Sequence, residues 1–445
     1  MDVVSHAPAL PRPASRSRLL GSLAGLGMPV LLFVLSAVVG WLRLSPVVRQ
    51  TVWAEDGRVF LLDEVDRGPV DTVFQHYAGY LHVVPRILVA IARVLPMSDF
   101  AVATTLLSVL TVAGIGVLVY VLTDGVLRSR WVRVVLALVP TLVPLGPVEI
   151  AGNVANLHWF LLFLAPFLFL APVRTWLRGS LLGLVALLIG LTEIQLVAFL
   201  PLLALGIRNP RRLPVLIGAL LGTGAQVFIT LSFPRTVTTP WRNTVSDVVI
   251  GFIAEPFAGA ATWNTSAVGR LIAAHGLFPL VVPLVVVVVA LVAGVVVGRA
   301  SQRWTIAATA FGAVAVWAGA VLLNPSPQLS FTGFDADHWR NVWSFRYTAA
   351  SSMFVLAAVL STADAFATQS RRWLRAVGIG LVGVVLVVFL VALPRPHESR
   401  DAGPVWRQEV DRGTQQCSTG RHQTAEVHIA PSDAWSFDLP CDDLR

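Results

Sequence analysis

Two adjacent acids in the stretch TVWAEDGRVF stand in a chain that is otherwise mostly apolar. Glu55 and Asp56 are followed at once by Gly57. A carboxylate held beside a cavity can act as a general base and take a proton from an attacking hydroxyl. Asp56 could equally be an N-cap, because an acid is favourable at the start of the helix predicted over GRVFLLDEV. Both interpretations stay open, and Asp56 and Glu55 are the candidate catalytic residues.

A second polar stretch, HWRNVWSFRY, combines arginines with tryptophans. Arg340 and Arg346 can each bind a phosphate through paired hydrogen bonds. Trp339 and Trp343 lie four residues apart, on one face of a helix, and could stack against a sugar ring. The alternative is an aromatic belt with snorkelling arginines at a membrane surface.

Further polar positions stand beside apolar segments. Arg86, after GYLHVVP, is another phosphate candidate or else an interfacial anchor. Asn156 and His158, in NVANLHWF, could bind a hydroxyl-rich ligand or serve only as a helix cap and a hydrogen-bonded interface residue. Glu193, in LTEIQ, is either a site residue or an ordinary loop acid. The candidate substrate-binding residues are therefore Arg58, His82, Arg86, Asn156, His158, Glu193, His338, Trp339, Arg340, Arg346 and Tyr347.

Motifs for cofactors and nucleic acid are missing from the sequence. There is no P-loop, no GxGxxG after a strand, no HExxH and no CxxC. A divalent metal stays an open alternative, but no ligand set can be identified. We therefore expect neither a nucleotide cofactor nor a nucleic-acid partner.

The elements that position these residues are membrane helices. The 445 residues are 56% hydrophobic and only 13% charged, and apolar runs of about 20 residues recur throughout. The runs do not alternate polar and apolar residues, which argues against a β-barrel. The sequence thus predicts an all-α polytopic membrane protein. All 33 basic residues are arginines, a composition typical of a GC-rich genome such as that of an actinobacterium.

Arginine clusters predict the topology. Placed on the cytoplasmic side, they give about 11 transmembrane helices, a cytoplasmic N-terminus and an extracytoplasmic C-terminus in the cytoplasmic membrane. Sixteen arginines then lie inside, against three acids. The inner loops are short, so any chemistry belongs to the outer face or to the inside of the bundle. The predicted segments are a cytoplasmic tail 1–18, a transmembrane domain 19–394 with outer loops 43–80, 232–275 and 324–347, and a small extracytoplasmic tail 395–445.

Residues 132–147 are predicted to form one helix. Arginines flank the segment Ser180 to Ile207 on both sides. If this segment crossed the membrane only once, one of the two arginine clusters would lie outside the cytoplasm. We therefore expect two short helices there, with LTEIQ at the outward tip.

Cys417 and Cys441 are the only cysteines, and both lie in the C-terminal tail. In an extracytoplasmic tail a disulfide is expected, with two free thiols as the alternative. AEVHIA alternates like a short strand and PSDAW resembles a turn, so the tail should form a small cap.

The layout resembles the GT-C superfold of integral-membrane glycosyltransferases. The resemblance consists of one helix, a long outer loop with an acidic pair, an interfacial stretch and many further helices, over about residues 15 to 395. WAEDGRVF, AGYLHVVPR, ANLHW and FRYTAA are also similar to actinobacterial and glucosyltransferase-like membrane proteins of this layout. Such enzymes use polyprenyl-phosphate sugars, with a carboxylate of the first outer loop as base, which maps onto Asp56 with Glu55 as the alternative. A large C-terminal carbohydrate-binding domain is lacking, which favours a lipid-linked or small acceptor.

Two other functions remain open from sequence. A transporter or flippase of lipid-linked sugars would need polar residues near the middle of the membrane and repeated broken helices. A non-enzymatic envelope-assembly protein would not need the loop acids at all. The acids cluster near predicted outer ends and no repeat is evident, so a transferase is the favoured expectation.

Overall fold

The computed structural model describes residues 16–235, 241–342, 346–394, 399–432 and 435–444, which are mostly helical. The first half of the chain contains α1 (Arg16–Leu42), α2 (Leu62–Arg67), α3 (Pro69–Thr72), α4 (Val83–Ala92), α5 (Phe100–Leu122), α6 (Arg130–Ala137), α7 (Val139–Leu142), α8 (Leu157–Leu170), α9 (Trp176–Gly190) and α10 (Leu213–Ser232). The second half contains α11 (Val245–Phe252), α12 (Thr265–His275), α13 (Phe278–Val297), α14 (Ala300–Leu323), α15 (Ala336–Arg340), α16 (Arg346–Ala367), α17 (Arg372–Val391) and α18 (Trp406–Ser418).

Six helices of the described chain are long and apolar enough to cross a membrane: α5, α10, α13, α14, α16 and α17. Shorter apolar helices, α1, α4, α8, α9 and a 3-10 helix (Ile194–Gly206), pack among them. The most apolar stretch of α16 is 94% buried, whereas that of α13 is only 6% buried. Helix α16 is therefore central, and α13 leaves its valine-rich surface exposed on the outside of the bundle.

The bundle has two chemically different ends. Gly40, near the end of α1, approaches Val109 of α5, whereas Gly116, farther along α5, lies near Ser36, one turn earlier in α1. The end of α1 therefore lies near the beginning of α5. We call this the acidic end, because Glu55, Asp56, Glu149 and Glu193 lie there. At the opposite end, Asp364 of α16 accepts hydrogen bonds from the backbone of Arg128 and Ser129 and from Gln302.

Glycines fix how α9 and α10 pack. Gly179 approaches the carbonyl of Arg211, Gly183 approaches Gly218, and Gly190 approaches Gly222. The partners advance in the same direction along both helices, so α9 and α10 run parallel. The 3-10 helix between them must therefore return the chain, as the expected pair of short helices requires. Small residues permit this backbone approach, which is a common way for helices to associate in lipid.

A side chain at Gly218 should disrupt this packing. A Cβ there would lie 2.1 Å from the carbonyl oxygen of Gly183, so we expect Gly218→Leu to lower the free energy of unfolding by about 1–3 kcal/mol. Gly224 lies on the same helix with nothing within 4 Å of its Cβ position, and Gly224→Leu is the matched control. Thermal unfolding in detergent measures both, and equal stability of the two variants would contradict the packing.

The single helix predicted over residues 132–147 is wrong. The structure has α6 and α7, and the chain leaves helical geometry after Leu142. Pro140 lacks the N–H that would continue the hydrogen-bond ladder, which explains the interruption.

The C-terminal tail packs on the acidic end as a small cap. Its strands β3 (Thr424–His428) and β4 (Ser436–Pro440) pair antiparallel, and a disulfide joins Cys417 to Cys441. A shorter hairpin, β1 (His76–Tyr77) and β2 (Tyr80–Leu81), lies in the first loop. The backbone N–H of Ala430 donates to the carbonyl of Val52 over 3.0 Å. The cap therefore holds the segment that precedes the acid pair.

Removing the disulfide should loosen this cap. The double variant Cys417→Ala/Cys441→Ala releases a 24-residue cross-link, and such losses cost about 2–5 kcal/mol in small domains. We expect faster amide hydrogen exchange in β3, while exchange in α16 should stay unchanged. Unchanged protection of β3 would contradict a stabilising role.

Candidate functional site

Asp56 is buried and bonded to a distant turn. It begins a π-helical turn (Asp56–Leu61), with 1% of its surface exposed. Its Oδ2 accepts the backbone N–H of Val154 over 3.0 Å, and its Oδ1 that of Ala155 over 2.8 Å. It therefore caps the turn before α8 rather than its own helix. Burial raises the pKa of Asp56 to about 7; the two N–H bonds oppose the shift, and the charge of Glu55 adds to it.

Arg346 joins the acid pair to a third acid. Its Nη1 donates to Oε1 of Glu55 over 2.9 Å, and its Nε lies 3.9 Å from Oε1 of Glu149. Burial acts to raise the pKa of Glu55, but the charge and hydrogen bond of Arg346 outweigh it and the pKa is lowered. Burial raises the pKa of Glu149, which the more distant Arg346 does not reverse. One cation thus serves two carboxylates.

A second pair, formed by His158 and Glu193, lies on the other side of the start of α8. Nδ1 of His158 hydrogen-bonds Oε2 of Glu193, whose Oε1 accepts the backbone N–H of Gln195. Tyr80 and His82 complete this group: their rings are 4.1 Å apart, and the His82 ring is 6.1 Å from that of His158. Burial lowers the pKa of His82, so its imidazole is neutral.

Trp159 connects the two groups. Its ring lies 4.2 Å from that of His158 and 5.6 Å, edge to face, from that of Tyr347. Tyr347 directly follows Arg346 in α16. One continuous polar cluster therefore runs from Glu55 to Glu193.

The cluster contains buried polar atoms without partners. Both amide atoms of Asn156 and the indole nitrogen of Trp159 make no hydrogen bond within the described residues. Leaving such groups unsatisfied costs about 1–3 kcal/mol each. This is the environment expected of a site that receives hydroxyls from a ligand or from water.

Arg86 borders the cluster one turn after His82. Its Nη2 donates to Asp63 over 2.8 Å, and its guanidinium lies 5.0 Å above the ring of Phe60. Its Nε and Nη1 are buried without partners among the described residues. Arg86 can therefore still donate to an anion.

Four of the predicted site residues lie elsewhere. Arg58 is exposed, 5.8 Å from the Trp435 ring. His338 and Arg340 are mostly exposed and pair locally with Asp335 and Asp337. Trp339 packs against Phe331 and Phe334. Trp343 lies outside the described residues.

Three cluster residues, Tyr80, Glu149 and Trp159, are not among the catalytic and substrate-binding residues predicted above. Glu149 is an isolated acid in a turn, and nothing in its local sequence pairs it with Arg346. Trp159 stands directly after His158, so its place beside a candidate was the only signal. Tyr80 had a similar signal, two residues before His82.

An apolar groove opens to the surroundings below the Arg346 half of the cluster. It has a volume of about 440 Å³ and is bounded by α13, α14, α16 and a π-helical turn (Ile253–Phe257). Glu255 of that turn accepts a hydrogen bond from Thr348, two residues after Arg346. Val292 and Val314, which line the groove, are more than half exposed. We call this the α13–α16 groove.

Chemically, the arrangement offers a proton acceptor, a cation for an anionic group and a hydrocarbon-lined groove. Within the described ranges, no group of three His, Cys, Asp or Glu side chains could hold a metal ion. No protein-family model matches the chain, and no curated protein matches it either.

Proposed function

We propose that the protein is a membrane glycosyltransferase of the GT-C type. It would move a sugar from a polyprenyl-phosphate donor to a hydroxyl acceptor at the outer face of the cytoplasmic membrane, in assembly of a cell-envelope glycan or glycolipid. The observation that supports it most is the 2.9 Å contact between Glu55 and Arg346, 291 residues apart. It puts the acid pair beside an arginine, whose guanidinium can bind a phosphate group.

In this mechanism Asp56 is the base. It takes the proton of the acceptor hydroxyl while that oxygen attacks the anomeric carbon. The bond from that carbon to the phosphate oxygen breaks, the configuration inverts, and polyprenyl phosphate leaves with both bonding electrons. Each oxygen of Asp56 keeps a lone pair after accepting its backbone bond. A pKa of about 7 suits a base near neutral pH.

Arg346 would stabilise the charge that develops on the leaving phosphate. Its side chain is 31% exposed, so the guanidinium can be reached while one nitrogen stays on Glu55. The α13–α16 groove would take the prenyl chain. Helix α16 carries both Arg346 and the groove residue Val355, nine residues or about 14 Å apart along the axis.

The proposed topology has about eleven crossings, with the N-terminus inside and the C-terminus outside. The six long helices would be supplemented by α1, the α6–α7 pair, α8, α9 and the 3-10 helix. The acidic end would then face outward and the arginine clusters would face the cytoplasm, as the positive-inside rule requires. The disulfide-linked cap is compatible with an oxidising outer compartment.

The clustering of the charges at one end of the bundle favours a transferase over a flippase. A flippase would need polar groups along the whole path of the sugar. A non-enzymatic assembly protein would not require a buried carboxylate with a raised pKa. A transferase moves the sugar of the donor to an acceptor, whereas a flippase moves the intact donor across the bilayer.

The test uses purified protein in lipid nanodiscs. It is given radiolabelled polyprenyl-phosphate hexoses and pentoses together with a total lipid extract. We expect protein-dependent transfer of label and release of unlabelled polyprenyl phosphate. Arg340→Gln, which alters only an exposed arginine, is the control and should remain active. The proposal is overturned if no donor is used and the same protein in vesicles instead moves intact donor across the bilayer.

A further inference from the structure

A second apolar groove lies on the opposite flank of the bundle, between α1, α5 and α9. Its volume is about 540 Å³, slightly larger than that of the α13–α16 groove. Its lining is apolar but for the Thr111 side chain, and the exposed Val30 and Phe33 show that it opens to the lipid-facing surface. We call it the α1–α9 groove.

The two grooves share no lining residue. Helix α8 stands between them: Leu161 and Leu164 line the α1–α9 groove, while Phe163 packs against Phe354 of α16. The grooves are therefore separate, and one hydrocarbon chain cannot fill both.

The upper end of the α1–α9 groove lies directly below the His158 half of the cluster. Leu161 is three residues after His158, about 4.5 Å along the helix. Val84 is two residues after His82, and its backbone N–H donates to Thr192, next to Glu193. A chain in this groove would end among His158, Glu193 and Tyr80.

We infer that the α1–α9 groove holds the hydrocarbon chain of the acceptor, so that the transferred sugar ends on a lipid. This inference rests on the proposed function. The half-cluster above the groove contains one carboxylate, a histidine and a tyrosine, which suits a neutral head group bearing hydroxyls. The indole of Trp159, whose nitrogen has no partner among the described residues, lies between the two halves, where the acceptor hydroxyl and the donor sugar would meet. Donor and acceptor thus enter from opposite flanks.

Gly114 provides the test. It lines the α1–α9 groove, and nothing lies within 4 Å of its Cβ position, so Gly114→Phe fills the groove without a backbone clash. Gly383 of α17 has equally open surroundings and lines neither groove, so Gly383→Phe is the matched control. Displacing two or more methylenes of a bound chain should raise the KM for a lipid acceptor about tenfold. The KM for the polyprenyl-phosphate donor should not change, whereas Val292→Trp in the α13–α16 groove should raise it.

Binding is measured separately from activity. The probe is diacylglycerol carrying a diazirine in one acyl chain, cross-linked in nanodiscs and mapped by mass spectrometry. We expect labelling on α5 or α9 that Gly114→Phe abolishes and Gly383→Phe leaves. Labelling and KM values that Gly114→Phe does not change would overturn the inference, as would a raised donor KM in that variant. If wild-type protein transfers no sugar, the proposed function fails instead, and transfer only to water-soluble alcohols would refute the lipid acceptor alone.

Discussion

Replacing Asp56 with asparagine should lower kcat by about 10²–10⁴-fold, the usual contribution of a general base. Asparagine keeps the size of the side chain but cannot accept the proton of an attacking hydroxyl. The measurement is transfer of label from the polyprenyl-phosphate donor in nanodiscs, at saturating donor. Full activity of folded Asp56→Asn protein would exclude Asp56 as the base.

The variant has a structural effect that must be separated from the chemical one. One of the two backbone N–H groups, of Val154 or Ala155, would face the amide NH₂ of the new side chain. Part of the loss could therefore come from displacement of the turn before α8. Unchanged hydrogen exchange in α8 in the variant shows that the turn is intact and that the loss is chemical.

The pH dependence of stability tests the raised pKa of Asp56 independently of activity. The folded protein keeps a proton on Asp56 up to about pH 7, whereas the ordinary value is 3.8, so the unfolded chain loses it earlier. Over this interval the folded state binds more protons, and the contribution of Asp56 to stability falls as pH rises from about 4 to about 7. Asp56→Asn should remove this fall, as melting temperatures at pH 5 and pH 8 would show. An identical pH dependence in both proteins would mean that the pKa of Asp56 is not raised.

Glu55→Gln separates the two acids of the pair. The charge of Glu55 adds to the raised pKa of Asp56, so its removal should lower that pKa. If Asp56 is the base, the acid limb of the profile of kcat/KM against pH, near pH 7 in the wild type, moves to lower pH while turnover persists. If turnover instead vanishes at every pH in a folded variant, Glu55 itself is the base.

The mostly helical architecture with long apolar helices could be predicted from the sequence, because runs of about 20 apolar residues recur along the chain. The number of crossings and their orientation rest on the charges of the arginines and stay predictions. Two short helices before α10 are expected because arginines flank Ser180 to Ile207 on both sides, and the glycine contacts between α9 and α10 agree with this expectation. Pro140 stands in the sequence as a potential helix breaker. The segment around it is so apolar, however, that it resembles one continuous span. Helix bounds at such a break depend on packing partners more than on local sequence.

The site was harder to predict, because its key contacts join distant segments. The backbone bonds of Asp56 reach residues 98 and 99 positions away, and backbone donors leave no mark in the sequence. Arg340 and Arg346 have the same chemistry and stand six residues apart. Arg340 has an acid three residues before it and pairs there, whereas Arg346 starts α16 and reaches Glu55. Local pairing thus decides which arginine remains available for the cluster.

Replacing Arg346 with glutamine should lower kcat/KM by about 10²–10³-fold, as expected when a group that stabilises transition-state charge is lost. The substitution also leaves Glu55 and Glu149 without their shared cation. Like charges then face each other in a buried setting, so their pKa values should rise and the protein should melt at a lower temperature. A loss of activity alone would not tell phosphate binding from charge balance.

The double variant Arg346→Gln/Glu55→Gln separates these two roles. Removing one acid together with the cation relieves the repulsion, so the melting temperature should recover most of its loss. If Arg346 stabilises the leaving phosphate, activity stays low and the KM for the polyprenyl-phosphate donor stays high, because glutamine carries no positive charge in place of the guanidinium. If Arg346 only balances charge, activity returns with stability, and the assignment of this arginine to the phosphate is refuted. The ion pair of Arg340 is exposed, so Arg340→Gln should change neither the activity nor the melting temperature.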